Sequence, residues 1–224
     1  MGCILAAAGV RGAEVLEERI KQQFPALFIT FVSVLIGLVF ADLVSEARAR
    51  MKLWPLNVAT LRTWAQVFAM AASAFAAWVV YSHLGISRNR IPTFADSFSA
   101  VLVPTPLLIF NSFVGRALVW PWFYFASMYL LICLVTSFWQ LRLTRAEREL
   151  HTFRRLYRPT GFLSVFYAGV PGFAISGWAD QHGWLSPLWE LAIAATPIPA
   201  ALLCVHLFLR DWRDAIGVGP ARGQ

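Results

Sequence analysis

Apolar residues gather along this chain into six long runs separated by short polar stretches. The runs cover residues 24–44, 61–81, 98–118, 122–139, 162–178 and 188–209. Each approaches the ~20 residues that carry a helix across a bilayer. They are continuous rather than alternating, which sets aside a transmembrane barrel. The pattern predicts an all-α integral membrane protein, a six-helix transmembrane bundle over residues 24–212. Before it, residues 11–23 carry Val15, Leu16 and Ile20 on one side and Glu14, Glu17, Glu18, Arg19 and Lys21 around the rest. Residues 1–23 are therefore expected as an amphipathic surface segment. Residues 213–224 are expected as a flexible tail.

The stretch after the fourth run has a different period. Leu143, Ala146, Leu150, Phe153 and Tyr157 recur three or four residues apart, with Arg142, Arg145, Arg148, Arg154 and Arg155 on the other faces. That spacing predicts a basic helix over 141–158, ended before Pro159 and Gly161. Its arginines are candidates for binding anionic lipid headgroups; a docking surface for another subunit is the other reading.

Composition agrees with a membrane protein. Hydrophobic residues make up 58% and charged residues 14% of the 224, against ~25% charged in an average soluble domain. The net charge of +7 could suggest nucleic acid in a soluble chain, but here it follows from basic loops facing the cytoplasm. Six crossings with both termini inside leave 14 Lys and Arg inside and 5 outside. If the third run only dips in and returns, the division is 13 and 6 with the N-terminus outside. The first model is preferred, with the chain in a bacterial inner membrane and both termini cytoplasmic. The start, Met1-Gly2-Cys3, lacks the Ser or Thr at position 6 that an acylation signal wants. No basic region precedes the first apolar stretch, as a cleaved signal would require.

The halves echo each other. Leu35-Ile36-Gly37-Leu38-Val39 returns as Leu131-Ile132-Cys133-Leu134-Val135, and Pro104-Thr105-Pro106 as Pro197-Ile198-Pro199. A three-plus-three inverted repeat, an arrangement common in transporters, would have proline-broken helices three and six. Chance recurrence of Leu, Ile and Val is the alternative.

Two prolines one residue apart remove two backbone donors. Pro104, Thr105, Pro106, Asn111, Thr196, Pro197 and Pro199 are thus candidates for a ligand or ion path, and a packing kink is the other meaning. His206 joins them as an ionisable group inside a run. Asp42 and Arg116 are charged candidates at span ends. Small residues at four-residue spacing, Ser33, Gly37 and Ala41 or Ala65, Ala69, Ser73 and Ala77, predict close helix contacts, as do Ala168 and Gly172.

Asp180, His182 and Glu190 could ligate a metal, but the order is generic and neither metal nor cofactor is expected. Cys3, Cys133 and Cys204 lack metal-binding spacing. The phosphate loop, HExxH and GxSxG patterns are missing, so no catalytic residue is named. Expected partners are the lipid bilayer, further copies of the chain or other membrane subunits, and no nucleic acid. Passage of a small solute or ion is the leading functional expectation. An accessory or scaffold subunit of a larger membrane complex is the alternative.

Overall fold

The computed structural model describes residues 2–50, 55–87, 94–145 and 162–215. Among these residues the chain is all-helical. The helices are α1 (Gly2–Arg50), α2 (Val58–Ser87), α3 (Phe94–Leu102), α4 (Pro104–Asn111), α5 (Trp120–Arg145), α6 (Phe162–Gln181), α7 (Pro187–Ala195) and α8 (Pro197–Ala215).

Helix α1 runs unbroken through Pro25, so residues 11–23 lead directly into the span. Its inner stripe is Phe28, Val32, Ile36, Val39 and Leu43, all buried at spacings of four, four, three and four. The other faces are apolar too: Leu27 is 67% exposed and Val34 57%. A helix that is apolar all round belongs in a large core or in lipid, and these faces have no protein against them. Four helical stretches are long and apolar enough to cross a membrane: Gln22–Arg50, Val58–His83, Trp120–Trp139 and Pro187–Arg210.

The third run is broken at its proline pair as expected but does not stay helical over the whole of 98–118. Phe98–Asn111 is a short apolar helical stretch interrupted at Val103. Beyond Asn111 the chain tightens into turns, with Ser112, Phe113 and Val114 N–H donating three residues back. Arg50 then takes the Ser112 and Val114 carbonyls, each at 2.7 Å. The helix stops because a charged side chain from α1 accepts the role its next turn would have filled. The fifth run forms α6, which is not among the four long apolar stretches.

Helix α2 is central and packs on α1, α7 and α8. Its row of Ala65, Ala69 and Ala77 is buried there, the close approach its small residues predict. Trp78 Nε1 donates to Ser33 Oγ at 3.0 Å across the α1 contact. Helices α5 and α6 form a second, antiparallel group. Ser127 Oγ donates to the Val170 carbonyl at 2.8 Å, and Phe138 meets Tyr167. A Cβ on Gly169 would lie 2.6 Å from a Leu130 methyl. Gly169 and Gly177 thus make the close contact, while Ala168 and Gly172 are exposed and a Cβ at Gly172 would meet nothing within 4 Å.

Packing does not follow the sequence echo between the halves. Helix α4 lies along α1, whereas α8, its counterpart, lies on α2 rather than on α5. The shared feature is local: each Pro-x-Pro starts a new helix after one intervening residue. Val103 and Thr196 keep helical dihedrals at those points. Both interruptions are therefore kinks in a continuing spiral and not unwound segments.

Candidate functional site

A cavity of about 470 Å³ lies between the two helix groups. That is within the ~300–1,000 Å³ range of small-molecule sites. Ala76, Ala77 and Val80 of α2 form one wall and Ala200, Ala201 and Cys204 of α8 another, while Leu130 and Cys133 of α5 face Val165, Gly169 and Phe173 of α6. Among the described residues no charged side chain lines it. Hydroxyls dot the walls instead: Ser73, Tyr81, Tyr129, Thr136, Ser137, Ser176 and Thr196.

Small side chains create this space. Ala76, Ala77, Ala200, Ala201 and Gly169 stand where branched residues would close it. Thr196 and Pro197 bring the α7–α8 kink to its edge. Pro197 has no N–H for the Ile193 carbonyl, so Thr196 supplies both its N–H at 3.1 Å and its Oγ1 at 2.7 Å. The orphan acceptor is satisfied locally, which is what lets a proline pair sit within an apolar helix.

Toward the end of the bundle where α5 begins, an aromatic layer closes the cavity. Trp122 and Phe123 are fully buried, and Phe110 and Phe173 nearly so. Their rings meet at centroid distances of 5.0 Å for Phe110–Trp122 and 6.1 Å for Trp122–Phe173. Trp122 Nε1 is buried there without a partner.

Beyond the aromatic layer lies a polar layer. Asn111 is fully buried, and its Nδ2 donates to the Val39 carbonyl at 3.0 Å and to Asp42 Oδ2 at 2.9 Å. Gln66 Oε1 accepts the Gly115 N–H at 2.8 Å. Arg50 also pairs with Glu46 at 2.8 Å. On the other side Arg62 Nη1 donates to Glu190 Oε2, and both side chains are nearly buried. Asp180 at the end of α6 lies beside Glu190 and beside the Trp120 N–H at the start of α5. Burial and the neighbouring Glu190 carboxyl push Asp180 up to about 6, against the pull of the Trp120 N–H and Arg62.

The predicted site residues divide between these places. Thr196 and Pro197 line the cavity; Pro104, Thr105, Pro106, Pro199 and His206 do not. Pro104 and Pro106 are buried, and Thr105 is exposed with its Oγ1 donating to the Val101 carbonyl at 2.8 Å. Asn111 and Asp42 bind each other and hold α4 to α1. Pro199 and His206 face outward. Arg116 is exposed, donating to the Ser112 carbonyl at 2.7 Å and lying over the Phe113 ring. Arg142 and Arg145 lie on α5, but their side chains, like Arg148, Arg154 and Arg155 as a whole, are outside the described residues. Among the described residues no group of three His, Cys, Asp or Glu is placed to hold a metal ion. Asp180 and Glu190 face Arg62 instead.

The sequence reading did not single out Arg62 or Gln66, nor Tyr81 and Tyr129. The available signal was a polar or phenolic residue inside an otherwise apolar run. No family model, curated protein or solved structure matches the chain.

Proposed function

We propose that the chain is a non-catalytic integral membrane protein that takes a neutral amphiphile from the bilayer into this cavity and passes it across. The observation that carries the reading is the cavity wall. An ion would need charged or carbonyl ligands to replace its water, and this wall offers apolar surface with scattered hydroxyls. Such a lining suits a hydrocarbon chain with an uncharged hydrogen-bonding head. We read the bundle as crossing six times. Helix α6 runs antiparallel along α5, from the Gly177–Trp120 contact to the Tyr167–Phe138 contact, so it reaches similar depth. The kinked α3–α4 pair supplies the remaining passage. A bacterial inner membrane with both termini cytoplasmic is the setting that the arginine distribution favours.

The test is leaflet exchange of a tail-labelled fluorescent long-chain alcohol in vesicles holding the purified protein, read by quenching of the outer leaflet. Faster exchange than in empty vesicles supports the reading, and Ala77→Phe should abolish the gain by filling the cavity. Equal exchange with and without protein refutes it.

A second reading rests on a different surface. Gly37 and Ala41 on α1 are exposed, and a Cβ at Gly37 would meet nothing within 4 Å. Small residues turned outward at membrane depth suit close approach of another helix. An accessory subunit, or a chain that pairs with its own copy, would use this face. Crosslinking through Gly37→Cys in native membranes separates the cases.

A further inference from the structure

We propose that the cavity is a length-selective site for a single-chain neutral amphiphile, with the polar head at Ser137 and the chain end against the aromatic layer. This site deepens the passage reading and rests on it. Most hydroxyls along the wall are already committed. Thr136 Oγ1 lies 2.9 Å from the Ile132 carbonyl and 3.0 Å from the Cys133 carbonyl. Ser176 Oγ donates to the Gly172 carbonyl at 2.8 Å, and Thr196 Oγ1 to the Ile193 carbonyl at 2.7 Å. Each of these protons is spent on the preceding turn of its own helix. Ser137 differs: it is 8% exposed, lines the cavity, and bonds to none of the described residues. A buried hydroxyl gains from a partner, and a guest in the cavity can supply one.

Position and dimensions define the guest. Helix α5 begins at the aromatic layer, and its wall residues run from Tyr129 to Ser137, so Ser137 marks the far end. Ser73 also lacks a bonded partner among the described residues, but it is less buried and is the wall residue of α2 nearest Arg62, at the opposite end. Opposite α5, the wall extends from Val165 to Ser176 on α6 and from Ile193 to Cys204 on α7–α8. Each stretch rises ~16 Å at ~1.5 Å per residue. Phe173 belongs both to that wall and to the aromatic layer, where it meets Trp122 at 6.1 Å. It offers a ring and no hydrogen bond, which suits the end of a hydrocarbon chain. The volume of about 470 Å³ holds about fifteen non-hydrogen atoms at ~30 Å³ for each water-sized group. One hydroxyl and a straight chain of about fourteen carbons fill that volume, and a two-chain lipid exceeds it.

The experiment is photocrosslinking of primary alcohols with a diazirine in the tail to the purified protein in lipid nanodiscs, titrated for chains of roughly ten, fourteen and eighteen carbons. The wild type should label best with the middle length. Phe173→Leu, which shortens the side chain at the aromatic end, should move the optimum toward the longest. Ser137→Ala should weaken apparent affinity for the alcohol about two- to tenfold, the worth of one net hydrogen bond. It should leave labelling by the headless hydrocarbon of the same length unchanged. Ser176→Ala, whose hydroxyl is already bonded, should change neither. Equal labelling at all lengths overturns the length selection, and so does an optimum that stays in place in Phe173→Leu. Equal losses in Ser137→Ala and Ser176→Ala, or a loss in Ser73→Ala alone, overturn the head position. The wild-type length series and the two serine variants decide the matter if Phe173→Leu fails to fold. Length-selective labelling by a protein that gives no leaflet exchange of the labelled alcohol keeps the site and refutes passage. Exchange without length selection does the reverse.

Discussion

Gly115→Ala is the sharpest perturbation of the polar layer. Gly115 sits at φ +67 in the turn after α4, and its N–H is bound by the buried Gln66. An L side chain in that left-handed region is disfavoured by ~1–2 kcal/mol. A Cβ there would also lie 2.9 Å from Thr63 Cγ2 and 3.2 Å from Arg50 Cβ. Neither neighbour is the free end of a flexible chain: Thr63 is buried and its Oγ1 donates to the Ala59 carbonyl, while Arg50 is held at both carbonyls after α4. Overpacking of this kind adds ~1–3 kcal/mol, giving a loss of roughly 2–5 kcal/mol. The two parts separate in a double variant. Thr63→Ser removes Cγ2 and keeps the hydroxyl, so Gly115→Ala in that background should lose the larger part of the overpacking and retain the conformational penalty of ~1–2 kcal/mol with the milder Arg50 contact. The measurement is apparent melting temperature in mild detergent for the four combinations. Wild-type stability in Gly115→Ala would refute the need for glycine. An equal loss with and without Thr63→Ser would refute the contact as its cause.

Other outcomes follow from the same packing. Ala69→Leu, at a position 1% exposed, should destabilise by ~1–3 kcal/mol, while Gly37→Leu on the outer face of α1 should leave protomer stability unchanged; equal effects in thermal melts would contradict the assigned faces. Arg62→Gln strands a nearly buried carboxylate and should cost ~3–5 kcal/mol, read as loss of folded protein on extraction; full recovery would contradict the ion pair. Pro104→Ala with Pro106→Ala restores two donors in a spiral that is already helical, so melting temperature should hold or rise, and a clear fall would show that the kink itself is needed. Asp180 has its folded value raised from 3.8 to about 6, so the folded state binds the proton more tightly and its contribution to stability falls as pH rises through that window. Relative to Asp180→Asn, the wild type should lose melting temperature between those values and change little above them; a difference that does not vary with pH would refute the shift.

How much of this was legible depended on whether a feature lies along one helix or between several. Helices α1, α2 and α5 follow from continuous apolar runs, because length alone decides whether a helix can span. The end of α4 was not legible, since the residue that stops it, Arg50, comes from a different run and had counted only as a loop charge. Likewise Arg62, at the start of the second run, was not singled out by the sequence reading, although its position folds it onto Glu190. Rows of small residues announce close contacts but not which face is inside: Ala65 and Ala69 turn in, Gly37 turns out, and on α6 the contact is made by Gly169 and Gly177. The cavity could not be read at all, because its walls come from α2, α5, α6 and the α7–α8 pair.

The two proline pairs show how one local feature acquires different consequences. Each interrupts a helix without unwinding it, and each has a threonine hydroxyl bonded to a carbonyl of the preceding turn: Thr105 to Val101 and Thr196 to Ile193. In α4 the kink is buried against α1 and carries Asn111 toward Asp42, where it tightens the first helix group. Between α7 and α8 the same device falls at the seam between groups. There, Ala200 and Ala201 follow the kink and leave space that α5 and α6 do not fill. Glu190 lies on the other side of that kink, within reach of both Arg62 and Asp180. The short α7 is joined to the longer α8 through Thr196. Cavity wall and the Arg62–Glu190 ion pair share one jointed element, and the joint is where the sequence repeats its proline pair.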